Sequence, residues 1–154
     1  MIYNIKKIVE VLNDLIRINK DREDGYVKAS HDLTPAEHNL RGVFERKAQE
    51  SRNNVMQLQH KAEELGAEVK EDVAEEGTIA GRIYRVWTDL KNAFSGNEEK
   101  SVLKSCETGE RAAQKCYEDV LNDKELPEDI CCIIREQKQS IDASQEEIKR
   151  LMNN

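Results

Sequence analysis

Aromatic residues are scarce in this chain. They make up 5% of 154 residues, with a single tryptophan. All-β cores lean on aromatic and β-branched side chains, so the shortage argues against a sandwich or barrel. There are only two prolines and seven glycines, too few for a loop-rich or collagen-like chain. No apolar run approaches the roughly 20 residues that span a bilayer. An excess of positive charge is also missing. The 31 acidic residues outnumber the 24 basic ones, and a formal net charge of −7 sets nucleic acid aside as a partner. The stretch over residues 1–8 lacks the charged-then-apolar order of a signal peptide, which gives a cytoplasmic location as the expectation. No CxxC pair occurs among the four cysteines, so zinc-ribbon and thioredoxin-like spacings are excluded.

What remains is charge and helical rhythm. Charged residues reach 36% and apolar ones 38%, the balance of a helical bundle with solvated outer faces. A chain of 154 residues can bury its own core, and one domain over 1–154 is expected.

Apolar residues stepping by three and four predict a first helix over residues 3–32. Its seam is Ile5, Ile8, Leu12, Leu15, Asn19, Arg22, Tyr26 and Ala29. Gly25 inside it costs about 1 kcal/mol relative to alanine, which implies that a neighbouring group comes close there. Thr34, Pro35 and Glu37 read as a capping box opening a second helix over 35–65. That helix carries Phe44, Ala48, Ser51, Val55, Leu58, Ala62 and Leu65 on one face, and Gly66 is placed to end it. A long connection follows. It holds a short amphipathic helix over 78–94, with Trp87 on its apolar stripe. A third helix is expected over 98–122 and a fourth over 127–152, the latter with Ile130, Ile134, Gln137, Ile141, Ser144, Ile148 and Leu151 inward. Short turns make helices one and two antiparallel, and likewise three and four. The long connection then returns along the bundle, as in four-helix bundles with one crossover. That pairing would bring Cys116 near Cys131 or Cys132. Partly buried thiols in a reducing compartment are the plainer expectation.

At this point the chain resembles an uncharacterised bacterial family of ferritin-like four-helix-bundle proteins, classed as a domain of unknown function. The carrying segments are Leu12-Asn13-Asp14-Leu15, Glu23-Asp24-Gly25-Tyr26, Glu107-Thr108-Gly109-Glu110, Tyr117 and Leu126-Pro127. The most specific piece runs from Glu76-Gly77-Thr78-Ile79-Ala80-Gly81 into Tyr84-Arg85-Val86-Trp87-Thr88-Asp89-Leu90-Lys91. The resemblance covers most of the chain and implies the ferritin-like fold. It brings no activity with it.

Two carboxylates then stand out. Glu23 and Glu110 each fall on an inward face, where an unpaired charge is costly. A ferritin-type dimetal centre needs a Glu from each of two helices and Glu-x-x-His from each of the other two. Glu23 and Glu110 are the only residues with a claim to such a metal. The second helix offers Glu50 with Asn53 in the histidine place, and the fourth offers Glu136 with Gln139. The inward groups there are Ser51, Asn54, Gln137 and Ser144. No metal, cofactor or catalytic residue is therefore expected. The expected feature is a polar core layer of Asn19, Glu23, Tyr26, Ser51, Asn54, Glu110, Tyr117 and Gln137, with Arg22 and Lys47 flanking it and able to neutralise one charge. On this reading Glu110→Gln leaves the fold intact.

The expected function is a structural or interaction protein in stress or envelope physiology, not an enzyme, with its protein partner unknown. Self-association is expected through a second stripe on the first helix, Ile2, Val9 and Ile16. The rival readings are an iron or manganese carboxylate protein, with di-iron oxidoreductase chemistry at Glu23 and Glu110, and a membrane-surface or lipid-associated protein acting through the Trp87 helix.

Overall fold

A computed structural model describes residues 4–33, 38–66, 87, 99–122 and 125–153. Four helices carry the described chain: α1 (Ile5–Asp32), α2 (His38–Glu64), α3 (Glu99–Leu121) and α4 (Glu128–Met152). Asn4 starts α1 by accepting a hydrogen bond from the Lys7 backbone N–H. Gly66 ends α2 at φ +79°, a left-handed conformation that glycine adopts without Cβ strain. Pro127 sits one residue before α4, at its N-cap, and Glu128 and Asp129 place negative charge at the positive helix end. The expected capping box at 34–37 and the expected helix over 78–94 lie outside the described residues, apart from Trp87.

Side-chain bonds fix how the helices run. Arg41 reaches Leu33 and Asn54 reaches Asn19, so α1 and α2 are antiparallel. Gln145 bonds Glu107 and Tyr117 bonds Gln137, so α3 and α4 are antiparallel. Lys7 meets Glu125 while Arg22 meets Glu110, which makes α1 antiparallel to α3. It follows that α2 and α3 run the same way. The chain leaves α2 at one end of the bundle and re-enters α3 at the other, the expected single-crossover topology.

The core follows the three-and-four spacing. Leu12, Leu15, Tyr26, Phe44, Leu58, Leu103, Ile134, Ile141 and Ile148 are buried. Helix α1 is also buried off its seam, at Ile16, Ile18 and Asp21. This corrects the second-stripe expectation: Ile16 is covered within the chain and Val9 is half-buried, so they do not form an open apolar stripe. Ile2 lies outside the described residues. No disulfide joins the four cysteines; Cys106, Cys116 and Cys131 are buried and Cys132 is exposed. The register explains why Cys116 does not meet Cys131: its neighbour Tyr117 is level with Gln137, more than a turn further along α4.

Asp14 is half-buried on α1. Burial, with the Glu10 charge adding to it, pushes its carboxyl up to about 6. The folded-state value lies above the unfolded one of about 4, so the folded chain holds the extra proton between those values. Asp14 thus costs nothing below pH 4, and its cost is complete above about pH 6. The full shift would be about 3 kcal/mol, and partial exposure reduces it to about 1 kcal/mol. Asp14→Asn is expected to raise the urea midpoint at pH 7 and leave it unchanged at pH 4. Equal gains at both pH values would rule this account out.

A candidate functional site in the polar core layer

Midway along the bundle the apolar core gives way to two polar tiers, one helical turn apart. The ionic tier is centred on Arg22, whose side chain is fully buried, as is that of Glu110. Arg22 Nε donates to Glu110 Oε1 at 2.5 Å and Nη2 to Oε2 at 2.8 Å, a two-pronged clasp from α1 to α3. Nη1 donates to Ser51 Oγ at 2.8 Å, and Nη2 lies 4.0 Å from Glu50. Burial alone would work against the guanidinium charge. The Glu110 carboxylate outweighs it and holds Arg22 above its ordinary value.

A second cation adjoins the first. Lys47, buried on α2, donates to Glu147 at 2.6 Å and to Ser144 Oγ at 3.2 Å, tying α2 to α4. Its ammonium hydrogen bond holds Glu147 below the usual carboxylate range. Glu50 accepts from both Ser140 and Ser144. Two cations and three carboxylates thus join all four helices.

The second tier is neutral. Asn19 donates to Tyr117 Oη and to the Leu15 carbonyl, both at 2.8 Å. Asn54 donates to Asn19 Oδ1 at 3.0 Å, and Tyr117 donates to Gln137 Oε1 at 2.8 Å. Gln137 in turn donates to Gln57 at 2.9 Å.

Tyr26 adjoins these tiers through its ring, and six of the eight expected layer residues join them by hydrogen bonds: Asn19, Ser51, Asn54, Glu110, Tyr117 and Gln137. Glu23 does not. It is 24% exposed and accepts from Arg52 at 2.7 Å on the outer face of α1 and α2. Each helical residue turns about 100°, so Glu23 and Arg22 cannot share the seam, and Arg22 holds it. The spacing signal was present, since Arg22 continues the step from Asn19 to Tyr26. Lys47 joins as the flanking cation that the sequence suggests, whereas Glu50, Gln57 and Glu147 enter only through the register between α2 and α4, which no single-helix pattern reveals.

Above the ionic tier, Tyr26 packs between Phe44 and Trp87, with 5.7 Å between ring centroids on each side, and Arg22 lies over its ring. The Tyr26 hydroxyl and Trp87 Nε1 are buried without a hydrogen-bond partner among the described residues. Burial, reinforced by the Glu110 charge, raises the Tyr26 phenol. The same two causes raise the buried Cys106 thiol, making it a poor source of thiolate. Trp87 is itself fully buried. A lipid-facing role for it would require the indole to leave this site.

The donor set does not suit a dimetal carboxylate centre. Both Glu110 oxygens face Arg22, a tethered cation stands on the inward face of α1, and no histidine side chain among the described residues of α2 and α4 reaches the layer. Among the described residues no group of three or more His, Cys, Asp or Glu is placed to hold a metal ion. His60 pairs with Glu64 on the exposed face of α2, away from the layer.

Comparison with known proteins fits this architecture. A solved structure of a dodecameric thioferritin, the bacterioferritin-related protein from Bacteroides fragilis, superposes with a TM-score of 0.74. It shares 15% identity, and the match covers 98% of this chain and 87% of that one. At that identity the likeness shows the fold, which is ferritin-like. No curated protein matches the chain. The sequence pattern described as "Domain of unknown function (DUF2383)" matches residues 7–123, a span that includes Arg22, Glu110 and most of the polar layer. This chain belongs to that family.

Proposed function

We propose that the protein is a self-associating, ferritin-like structural or interaction protein without catalytic activity. The observation that carries this reading is the Arg22–Glu110 clasp. Both Glu110 oxygens at the bundle centre are taken by Arg22, and among the described residues no group of three or more potential ligands is placed to hold a metal ion. Its buried cysteines form no disulfide, which suits a reducing compartment, so we place it in the cytoplasm. Self-association draws support from the dodecameric relative in fold. Elemental analysis of purified protein, before and after incubation with Fe²⁺, is expected to find less than one iron or manganese per chain. Stoichiometric metal that survives gel filtration would overturn the proposal. Light scattering over a concentration series is expected to show a mass above that of one chain. A monomer at every concentration would remove the self-association.

A further inference from the structure

We infer that the cleft between the last turns of α1 and the first half of α2 binds a small zwitterion, an α-amino acid with a short apolar side chain. The cleft has a volume of about 360 Å³, within the range of small-molecule sites. It lies on the outer face of the bundle, away from the polar layer.

Its chemistry is divided along its length. At one end stand Ser30, His31 and Arg41. Arg41 Nε donates to the Ser30 carbonyl at 3.4 Å and Nη2 to the Leu33 carbonyl at 3.2 Å. These two bonds orient the guanidinium and leave Nη1 without a partner among the described residues. Ser30 is more than nine-tenths buried and lines the cleft. A positioned guanidinium edge and a hydroxyl donor suit a carboxylate.

One turn along α2, Glu45 lines the same wall and makes no ion pair or hydrogen bond among the described residues. An unpaired acid there disfavours a simple anion. It favours a ligand that brings its own cation beside its carboxylate. Positions i and i+4 lie side by side on a helix, the close spacing that an ammonium and a carboxylate on one carbon require. Val27 and Ala48 supply the apolar surface between the helices. Arg52 closes the far end and is already held by Glu23 and Gln49.

The test is an amide NMR titration of the full chain with three probes of matched apolar body: leucine, isovalerate and isopentylamine. Leucine is expected to give saturable shifts confined to residues 27–31 and 41–48. Isovalerate and isopentylamine, each lacking one charge, are expected to bind at least tenfold more weakly. Glu45→Gln is expected to reduce leucine to the level of isovalerate, and Ser30→Ala to weaken leucine and isovalerate alike. Arg41 also caps α1, so the variants avoid it, and their own spectra report whether they fold. No saturation with leucine up to about 50 mM, far above a millimolar dissociation constant, overturns the inference. So does isovalerate binding as tightly as leucine.

Discussion

Glu110→Gln is expected to destabilise the protein by about 3–5 kcal/mol, because it leaves the Arg22 charge buried with no carboxylate beside it. For a chain of this size that lowers the melting temperature by roughly 10 °C. This reverses the expectation from sequence, where Glu110 sat among neutral donors with Arg22 and Lys47 only flanking the layer, and its amide looked tolerable. The structure replaces those donors with a guanidinium. Both Glu110 oxygens accept from Arg22, and both side chains are fully buried. An amide keeps the shape but offers one oxygen and no charge. Arg22→Gln is expected to cost a similar amount by stranding Glu110 instead.

The double variant Arg22→Met, Glu110→Leu separates charge from position. Replacing a whole buried ion pair by apolar groups of similar volume is often neutral or stabilising by about 1–4 kcal/mol. Chemical denaturation of the parent, Arg22→Met, Glu110→Leu and the double variant gives the coupling between the two sites. Coupling above about 3 kcal/mol is expected. Simple additivity would mean that the clasp contributes no more than its separate packing. The double variant also bears on specificity. The ionic tier ties α1 to α3 through Arg22 and α2 to α4 through Lys47. A bundle that keeps its stability but loses its sharp amide dispersion would show that these charges set the register.

How far the sequence reaches can be judged from these same residues. The three-and-four step drew the seams of the first, second and fourth helices, and residues such as Leu12, Phe44 and Ile141 are buried as that step requires. It does not hold at the first residue of α1, where Ile5 is 53% exposed. Within α1 the step already contained Arg22, yet a carboxylate drew attention to Glu23, one position off the seam. Polarity marks a residue as notable, and only the helical angle decides which way it faces. The partners of Arg22 were less legible. Ser51 and Lys47 belong to another helix, and their level opposite Arg22 depends on the turn between α1 and α2. The Asn19–Tyr117–Gln137 chain depends on two such registers at once. Gly25 was legible as a close approach, although not what approaches it. Gly109 carried no comparable signal.

Those two glycines make the second large expectation. A Cβ built on Gly25 would lie 2.3 Å from Cε3 of Trp87, and one on Gly109 would lie 2.4 Å from Cζ2. The indole is therefore clasped edge to edge between α1 and α3, in a slot that exists only because both helices lack a side chain there. Alanine is the better helix former by about 1 kcal/mol, so on local grounds each Gly→Ala change should stabilise. The clash decides otherwise. A rigid ring with backbone on both edges cannot yield a full ångström, so Trp87 must shift or leave. Losing a fully buried tryptophan costs about 3–5 kcal/mol. The net expected loss is about 2–4 kcal/mol for Gly25→Ala or Gly109→Ala. Trp87 is the only tryptophan, so its emission should move to the red in the same variants. In a Trp87→Leu background the sign should reverse, with Gly109→Ala then gaining its helix propensity. A Gly109→Ala variant that is no less stable and keeps a blue emission in the presence of Trp87 would show that the slot tolerates a side chain after all.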